Sequence, residues 1–235
     1  MNIVSSRLIA IANMVSDGEN IIADIGSDHA YLAIYLAKSA KVKKIFATEL
    51  NDGPYEITKT NIRNFGVAHI VEAIKADGLK WIEDKKISIS SVIIAGMGTT
   101  TILKILENDS KFIDCFILSP NTDAFKIRKW VKNKKYFIED EKLILDNEII
   151  YELIKVNKYA GKKIKNYKDL FFGPILRKTS KDNRLFTQKW ILEEEKYTKL
   201  LTTIPNDNLN FKKYTKLKKI IGKYINKELK YGKAK

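Results

Sequence analysis

Carboxylates placed around a predicted turn are the most informative chemical feature of this sequence. The apolar run 21–23 leads into Asp24–Asp28, with the sequence Asp-Ile-Gly-Ser-Asp, and a helical pattern of apolar residues follows at once. This order predicts a strand, a tight turn and a helix, which together form the first unit of a nucleotide-binding α/β fold. Gly26 has no β-carbon, so the backbone can turn sharply and approach a ligand there.

The chemistry of this turn argues against a dinucleotide. The chain lacks the Gly-x-Gly-x-x-Gly pattern that brings a pyrophosphate against the backbone. Asp24 and Asp28 instead place two carboxylates where that pyrophosphate would lie. An NAD-dependent oxidoreductase is therefore disfavoured. A cofactor with a positive charge and no phosphates suits the turn better, and S-adenosyl-L-methionine is such a cofactor.

Two further acidic positions fall at the ends of the next predicted strands. Glu49 follows Asp24 by 25 residues, close to the spacing of about 20 at which a carboxylate accepts hydrogen bonds from ribose hydroxyls. Asp77, followed by Gly78, ends the third strand and can meet the adenine amino group. Because ligands of open α/β sheets bind at the carboxyl ends of the strands, these residues are expected to form one site.

The loop after the predicted fourth strand limits the kind of atom that can accept the methyl group. Many amino-group methyltransferases hold an exocyclic amine with an Asn/Asp-Pro-Pro-aromatic loop, whereas this chain has Ala95-Gly96-Met97-Gly98-Thr99. The sequence therefore favours an acceptor atom that already has a lone pair, such as a ring nitrogen.

The order of predicted elements indicates a Rossmann-like α/β sheet of the class I methyltransferase type. Strands are predicted at 20–25, 44–50, 69–76, 91–95, 116–118, 136–145 and 148–156, and helices at 7–15, 29–38, 54–64, 101–107 and 124–132. Only Asp146-Asn147 separates the last two strands, which predicts an antiparallel hairpin. A parallel sheet closed by a C-terminal antiparallel strand is typical of class I methyltransferases and not of dinucleotide-binding folds.

The net charge of +15 lies entirely in the last third of the chain. Residues 1–150 contain 20 Lys and Arg and 20 Asp and Glu, whereas residues 151–235 contain 23 and 8. A general bias toward lysine would charge both parts alike. We therefore predict two domains: 1–157, the methyltransferase domain, and 158–235, a basic domain that binds a polyanion.

Apolar residues in the C-terminal part recur at helical spacing. Phe186, Trp190 and Tyr197 belong to one series, and Tyr214, Leu217 and Ile221 belong to a second that follows Pro205-Asn206-Asp207. This pattern predicts two helices paired as an antiparallel coiled coil. The lysines on the opposite face remain for a partner: Lys212, Lys213, Lys216, Lys218, Lys219 and Lys223.

Composition limits the remaining possibilities. The single cysteine, Cys115, lies in an apolar run and is expected to be a buried structural thiol, which suits a reducing compartment. No apolar run reaches 18 residues and no signal peptide is evident at the N-terminus. We therefore expect a cytoplasmic protein that uses no membrane and no metal, and a monomer.

Short segments along nearly the whole chain resemble one known family. In order they are Arg7-Leu8, the run from Asp24 to Leu32, Gly53-Pro54-Tyr55, Asp77-Gly78-Leu79, Ile94 to Gly98, Pro120-Asn121, Arg128-Lys129-Trp130, Tyr151-Glu152 and Phe172-Gly173-Pro174. Together they resemble the bacterial tRNA (adenine(22)-N1)-methyltransferases. The Asp-His-Ala-Tyr-Leu and Ala-Gly-Met-Gly segments carry the specificity, since general methyltransferases lack both. Ala33 and Thr99 depart from the family pattern, which has proline and glycine there.

The resemblance implies a Rossmann-like domain, a C-terminal coiled-coil domain and N1 methylation of an adenine in the D-arm region of tRNA. The expected cofactor contacts are Asp24, Gly26, Ser27, Glu49, Leu50, Asp77, Gly78, Ala95 and Gly96. Asp28, His29 and Tyr31 are expected to face the methyl-transfer centre as catalytic residues. The expected contacts to the tRNA are Arg7, Asn121, Lys212, Lys216 and Lys219. Two alternatives stay open: a methyltransferase for rRNA or another tRNA position, and an inactive RNA-binding module.

Overall fold

The computed structural model describes residues 4–18, 20–39, 41–179 and 184–232, with side chains up to residue 226. A seven-stranded sheet has the order β3-β2-β1-β4-β5-β7-β6. Its strands are β1 Ile21–Ile25, β2 Lys44–Glu49, β3 Val71–Lys75, β4 Ile89–Met97, β5 Ile113–Pro120, β6 Phe137–Asp146 and β7 Ile149–Asn157.

Helices cover both faces of the sheet. They are α1 Ser6–Ala12, α2 Tyr31–Lys38, α3 Asp52–Asn64, α4 Lys80–Lys85, α5 Thr99–Leu106, α6 Ala124–Asn133 and α7 Tyr167–Phe172, followed by α8 Arg184–Thr203 and α9 Phe211–Gly232. Alternate residues of a strand point to opposite faces. Accordingly Ala23 packs in one apolar cluster with α4, α5 and α6, while Ile22 packs in the other with α1, α2 and α3. The strands are therefore buried on both faces, which explains their continuous apolar runs.

The direction of the strands brings the functional loops to one edge. The five strands from β3 to β5 in the sheet order are parallel, and β7 is antiparallel to both of its neighbours, β5 and β6. This confirms the predicted seven-stranded Rossmann-like sheet with its closing hairpin. The tight turn of that hairpin is Asn147 and Glu148, one residue later than the predicted Asp146-Asn147, because Asp146 still pairs with Ile149; both turn residues have positive φ. The turn lies at the carboxyl edge of the sheet, together with the loops after β1, β2, β3 and β4.

The structure corrects two local predictions. The second helix was expected to begin at His29, but it begins at Tyr31 because Asp28, His29 and Ala30 have left-handed backbone conformations (φ 41, 67 and 61°) that no right-handed helix accommodates. The short helices α4 and α7 were not predicted, because six residues give too little periodicity to recognise.

The chain divides into two compact units, Met1–Ile175 and Leu176–Lys235. The division falls later than residue 157, where the composition changes. Residues 158–175 pack with the sheet because Lys162 exchanges backbone hydrogen bonds with Ile138, and because the backbone N–H of Ile175 donates to the Glu141 carboxylate (2.8 Å).

In the second unit, α8 and α9 pair in opposite directions. Phe186, near the start of α8, contacts Tyr224, near the end of α9, with ring centroids 6.0 Å apart. Tyr197 and Tyr214 meet at the other end of the pair, 5.5 Å apart. The predicted helical hairpin is thus present in the described residues. Among those residues we find no helix that is both long and apolar enough to span a membrane.

Candidate active site

The turn after β1 is shaped by backbone hydrogen bonds to the neighbouring strand. The N–H groups of Gly26 and Ser27 both donate to the Thr48 carbonyl of β2 (2.9 and 3.1 Å). Gly26 has φ +66°, and the left-handed segment of Asp28, His29 and Ala30 follows it. Such conformations cost non-glycine residues roughly 1–2 kcal/mol each. The segment therefore has to be held by its surroundings.

Two side chains, those of Glu49 and Asn61, hold the left-handed segment by hydrogen bonds. Glu49 Oε1, at the end of β2, accepts from the backbone N–H of Asp28 (2.6 Å) and from the Ser27 hydroxyl (3.4 Å). Asn61 of α3 donates its side-chain N–H to the His29 carbonyl (2.9 Å). Glu49 is buried, and we find no partner for its Oε2 among the described residues. One carboxylate oxygen thus fixes the turn, and the other remains for a ligand.

Among the carboxyl groups at this edge of the sheet, Asp24 has the pKa that departs furthest from its ordinary value. It is buried, and its Oδ2 has no hydrogen-bond partner among the described residues. Burial, and then the charge of Glu49, raises the pKa of Asp24 to about 7. A cation or hydrogen-bond donor beside this oxygen would lower that pKa and relieve the cost of burial.

The three predicted catalytic residues lie together on the outer side of the turn. Asp28 Oδ1 is 3.5 Å from His29 Nε2, and the rings of His29 and Tyr31 are 5.7 Å apart and tilted. The Asp28 side chain is 91% exposed and that of His29 is 39% exposed, so both are accessible to a substrate. An acid–base pair and an aromatic ring at this edge can contact a nucleobase.

The predicted cofactor residues of the later strands lie at the same edge. Asp77 is exposed, while Gly78 is buried with φ +64°. A β-carbon on Gly78 would touch Ile105 at 3.5 Å. Leu50 directly follows Glu49 and is 56% exposed, so its apolar side chain is accessible at this edge.

Asn121 and Arg7 flank the end of β4. The Asn121 side-chain amide donates to the Gly96 carbonyl (3.0 Å), next to the half-buried Ala95. The Arg7 guanidinium stacks over the Tyr151 ring, with 4.4 Å from Cζ to the ring centroid. Its Nη2 lies 3.8 Å from where a β-carbon on Gly96 would stand.

Sequence reasoning missed two residues of this edge. Met97 covers Gly26, and Tyr151 lies under Arg7. Both belong to the segments that carry the family resemblance, which was the available signal. Thr99, a departure from the family pattern, is accommodated inside the loop: it is buried, and its hydroxyl donates to the Thr122 carbonyl.

The predicted tRNA-contacting lysines lie on α9 of the second unit. Lys212, Lys216 and Lys219 are all exposed, and so is Lys223. No acidic side chain lies within ion-pair distance of these four lysines in the part of the chain that the structure describes. Within those same bounds, no cluster of three or more His, Cys, Asp or Glu residues is arranged to hold a metal ion.

The acidic edge fits S-adenosyl-L-methionine. The unpartnered oxygen of Asp24 suits an ammonium or other cationic group, and Glu49 Oε2 suits ribose hydroxyls. No lysine or arginine that would neutralise a phosphate is bonded to Asp24 or Glu49 among the described residues. These carboxylate oxygens therefore suit a cationic ligand without phosphates.

The strand order, the closing antiparallel strand and this acidic edge together define a class I methyltransferase fold. Residues 22–227 match the family model described as tRNA (adenine(22)-N(1))-methyltransferase. The chain belongs to that family.

Named relatives agree with this assignment. The chain is 32% identical over 199 residues to the tRNA (adenine(22)-N(1))-methyltransferase of Bacillus subtilis, covering 81% of each chain. The structure of M. capricolum TrmK in complex with S-adenosyl-homocysteine matches with a TM-score of 0.87 and 32% identity, over 95% of this chain and 98% of that one. A Streptococcus pneumoniae putative tRNA (m1A22) methyltransferase, solved with S-adenosyl-L-methionine, matches with a TM-score of 0.83 and 30% identity, over 95% and 100%.

Proposed function

We propose that this protein transfers the methyl group of S-adenosyl-L-methionine to N1 of an adenine in tRNA, at position 22. The observation that carries the proposal is the acidic edge of Asp24, Gly26 and Glu49 in a chain of this family. The relatives solved with S-adenosyl-homocysteine and S-adenosyl-L-methionine support the choice of donor.

The donor is held by the ends of four strands. Asp24, Gly26 and Ser27 would hold its methionine part, and Glu49 Oε2 would accept from the ribose. Leu50, Asp77 and Gly78 would hold its adenine, and Ala95 and Gly96 would close the site from β4. When bound, the donor supplies an electrophilic methyl group on a positively charged sulfur.

The chain contributes positioning more than acid–base chemistry. Adenine N1 already carries a lone pair, so it attacks without prior removal of a proton. Tyr31 and His29, whose rings lie beside the turn 5.7 Å apart, would position the base next to the methyl group. Asp28, with His29, accepts the proton that the amino group releases as positive charge develops on the base.

Arg7 and Asn121 contact the target nucleotide next to Gly96. Stacking over Tyr151 fixes the plane of the Arg7 guanidinium, and its N–H groups suit a phosphate oxygen. Asn121 orders the loop through the Gly96 carbonyl and presents its remaining amide groups to the substrate.

The helical hairpin binds the tRNA backbone. Lys212, Lys216, Lys219 and Lys223 are spaced by four, three and four residues, so they form one stripe of about 16 Å along α9. Consecutive lysines are about 4.5–6 Å apart along the axis, a spacing suited to successive phosphates. Coiled-coil packing of α8 and α9 would keep this stripe straight. We assign this role to residues 158–235, which hold the excess charge.

We infer that the enzyme works as a monomer in the cytoplasm, where tRNA is modified. Its net charge of +15 opposes self-association and favours a polyanionic partner.

A comparison of RNA substrates tests the proposal. Unmodified tRNA, the same tRNA with guanine at position 22, and rRNA fragments are incubated with labelled donor. We expect label in the first RNA alone. Label in the rRNA fragments, or in the guanine-22 tRNA at the wild-type rate, would favour the alternative enzyme. Donor binding without any methyl transfer would instead indicate an inactive RNA-binding module.

A further inference from the structure

Met97 occupies the space directly above the Gly26 turn. A β-carbon built on Gly26 would overlap the Cε methyl of Met97, and apart from the adjoining residues 25 and 27 no other described residue lies within 4 Å of that position. Met97 is the last residue of β4 and is half-buried against the apolar cluster on that side of the sheet. Its terminal methyl group therefore covers the stretch of backbone that a ligand must approach closely.

Hydrogen bonds from Asn121 hold the backbone on either side of the Met97 side chain. The Asn121 N–H donates to the Met97 carbonyl, and the Asn121 side-chain amide donates to the Gly96 carbonyl, both at 3.0 Å. Glycines stand on both sides, and nothing lies within 4 Å of a β-carbon built on Gly98. Methionine is unbranched and has three rotatable side-chain bonds, so its methyl group can move while its backbone stays in place.

We propose that Met97 is a positioning residue that covers Gly26 when the methyl donor is absent and is displaced when the donor binds. The hydrogen bond from the Asn121 N–H holds the backbone of Met97 in place while the Met97 side chain moves. The same movement in reverse helps to expel the demethylated product, because the methyl group returns to the space over Gly26. The proposal rests on donor binding at the acidic edge, as proposed above.

The covered state lowers the apparent affinity for ligand. If the side chain covers the turn most of the time, the observed Kd is the intrinsic Kd divided by the uncovered fraction. Truncation at Met97 removes the cover. We expect Met97→Ala to lower the Kd for S-adenosyl-homocysteine by about threefold to tenfold, which corresponds to an uncovered fraction of roughly 10–30% in the native protein.

Methyl NMR of the full chain tests the movement directly. The protein has three methionines, Met1, Met14 and Met97, so ¹³C-methyl labelling gives a simple spectrum. Met14 is buried in the other apolar cluster and serves as the internal control. We expect a nuclear Overhauser effect between the Met97 methyl and the Gly26 α-protons that disappears when S-adenosyl-homocysteine is added, while the Met14 signal stays unchanged.

The outcomes separate this proposal from the proposed function. An Overhauser effect that persists in the ligand-bound protein, or that is absent without ligand, overturns displacement. An unchanged or higher Kd for Met97→Ala, in a variant with native circular dichroism, overturns the covering role. If calorimetry shows that the native protein does not bind S-adenosyl-homocysteine at all, the donor assignment itself fails.

Discussion

At the scale of single residues, the two neighbouring carboxyl groups at the turn have different roles. Glu49 accepts a hydrogen bond from the backbone N–H of Asp28 and so holds the loop. Asp24 is buried, and one of its carboxylate oxygens has no hydrogen-bond partner among the described residues. Burial of such a group without a partner destabilises a fold. A binding site can tolerate it when a cationic ligand supplies the missing interaction.

Replacement of Glu49 by glutamine tests its role toward the donor. The amide oxygen can still accept from Asp28, but the charge and one acceptor position for the ribose are lost. We expect the Kd for S-adenosyl-L-methionine, measured by calorimetry, to rise at least tenfold. Glu72→Gln is the matched control, since Glu72 is an exposed residue of the adjacent strand β3 and should leave the Kd unchanged. Equal affinities in both variants would contradict the assignment.

Asp24 makes the stability of the donor-free protein depend on pH. Its folded-state pKa is about 7 against an ordinary value of 3.8, so between these values the folded state binds the proton more tightly than the unfolded state. The stabilisation is therefore complete at low pH and is lost as pH rises through 7, by up to about 1.4 kcal/mol per pH unit.

Thermal unfolding checks this sign. The native Tm is expected to fall between pH 6 and 8, and Asp24→Asn should remove most of that fall while weakening donor binding. Asp84→Asn, at an exposed site, should keep the native profile. If the native protein and Asp24→Asn showed the same change of Tm over this interval, Asp24 would not titrate there.

At the scale of elements, a buried ion cluster joins α6, the β6–β7 hairpin and the segment after α7. The fully buried Arg128 donates to Glu141 (2.7 Å) and Glu152 (2.5 Å). Gly173 must lie against this cluster, since a β-carbon there would stand 2.6 Å from Glu141 and 2.8 Å from the Arg128 guanidinium. The cluster thus explains why the motifs around Arg128, Glu152 and Gly173 occur together.

Removal of the Arg128 guanidinium is expected to destabilise the fold. Arg128→Met leaves two buried carboxylates without their partner, and we expect the free energy of unfolding to fall by about 3–5 kcal/mol at neutral pH. Burial already raises the pKa of Glu141 against the influence of Arg128, so the variant should recover stability as pH falls and the carboxylates become protonated. Urea unfolding at two pH values measures both effects. Lys129→Met, at the exposed neighbouring position, should change stability little.

The elements show which features sequence could reveal. Buried strands are recognisable as apolar runs, so the sheet and its closing hairpin were predictable, although the turn was predicted one residue too early, at Asp146-Asn147. The left-handed segment at Asp28 and His29 was not, because it depends on hydrogen bonds from residues 21 and 32 positions away. The position of Met97 over Gly26 likewise arises from packing between β1 and β4, which no local pattern encodes.

At the scale of the whole molecule, charge and chemistry are divided along the chain. The first 150 residues are neutral overall and carry the acidic edge, while the remainder carries the full excess of +15. An acidic site attracts a cationic donor, and a basic helix attracts nucleic acid. The division suits the two ligands of opposite charge that we propose for this chain.

The salt dependence of tRNA binding measures the contribution of the lysine stripe. Replacing Lys212, Lys216 and Lys219 by serine should weaken binding and reduce the slope of log Kd against log salt by about 2–3. The control replaces Lys85, Lys86 and Lys132, exposed residues near the C-terminal ends of α4 and α6, with the same change in net charge. If both triple variants lose the same slope, the stripe is not a specific contact surface.

The position of the transferred methyl group tests the central claim most directly. Unmodified tRNA is incubated with the native protein and S-adenosyl-L-methionine, and the product is mapped by nuclease digestion with mass spectrometry and by primer extension. The account predicts N1-methyladenosine at position 22, with a block to extension at that nucleotide. A methyl group on another atom or at another position, or no methyl group in a protein shown to bind the donor, would contradict it.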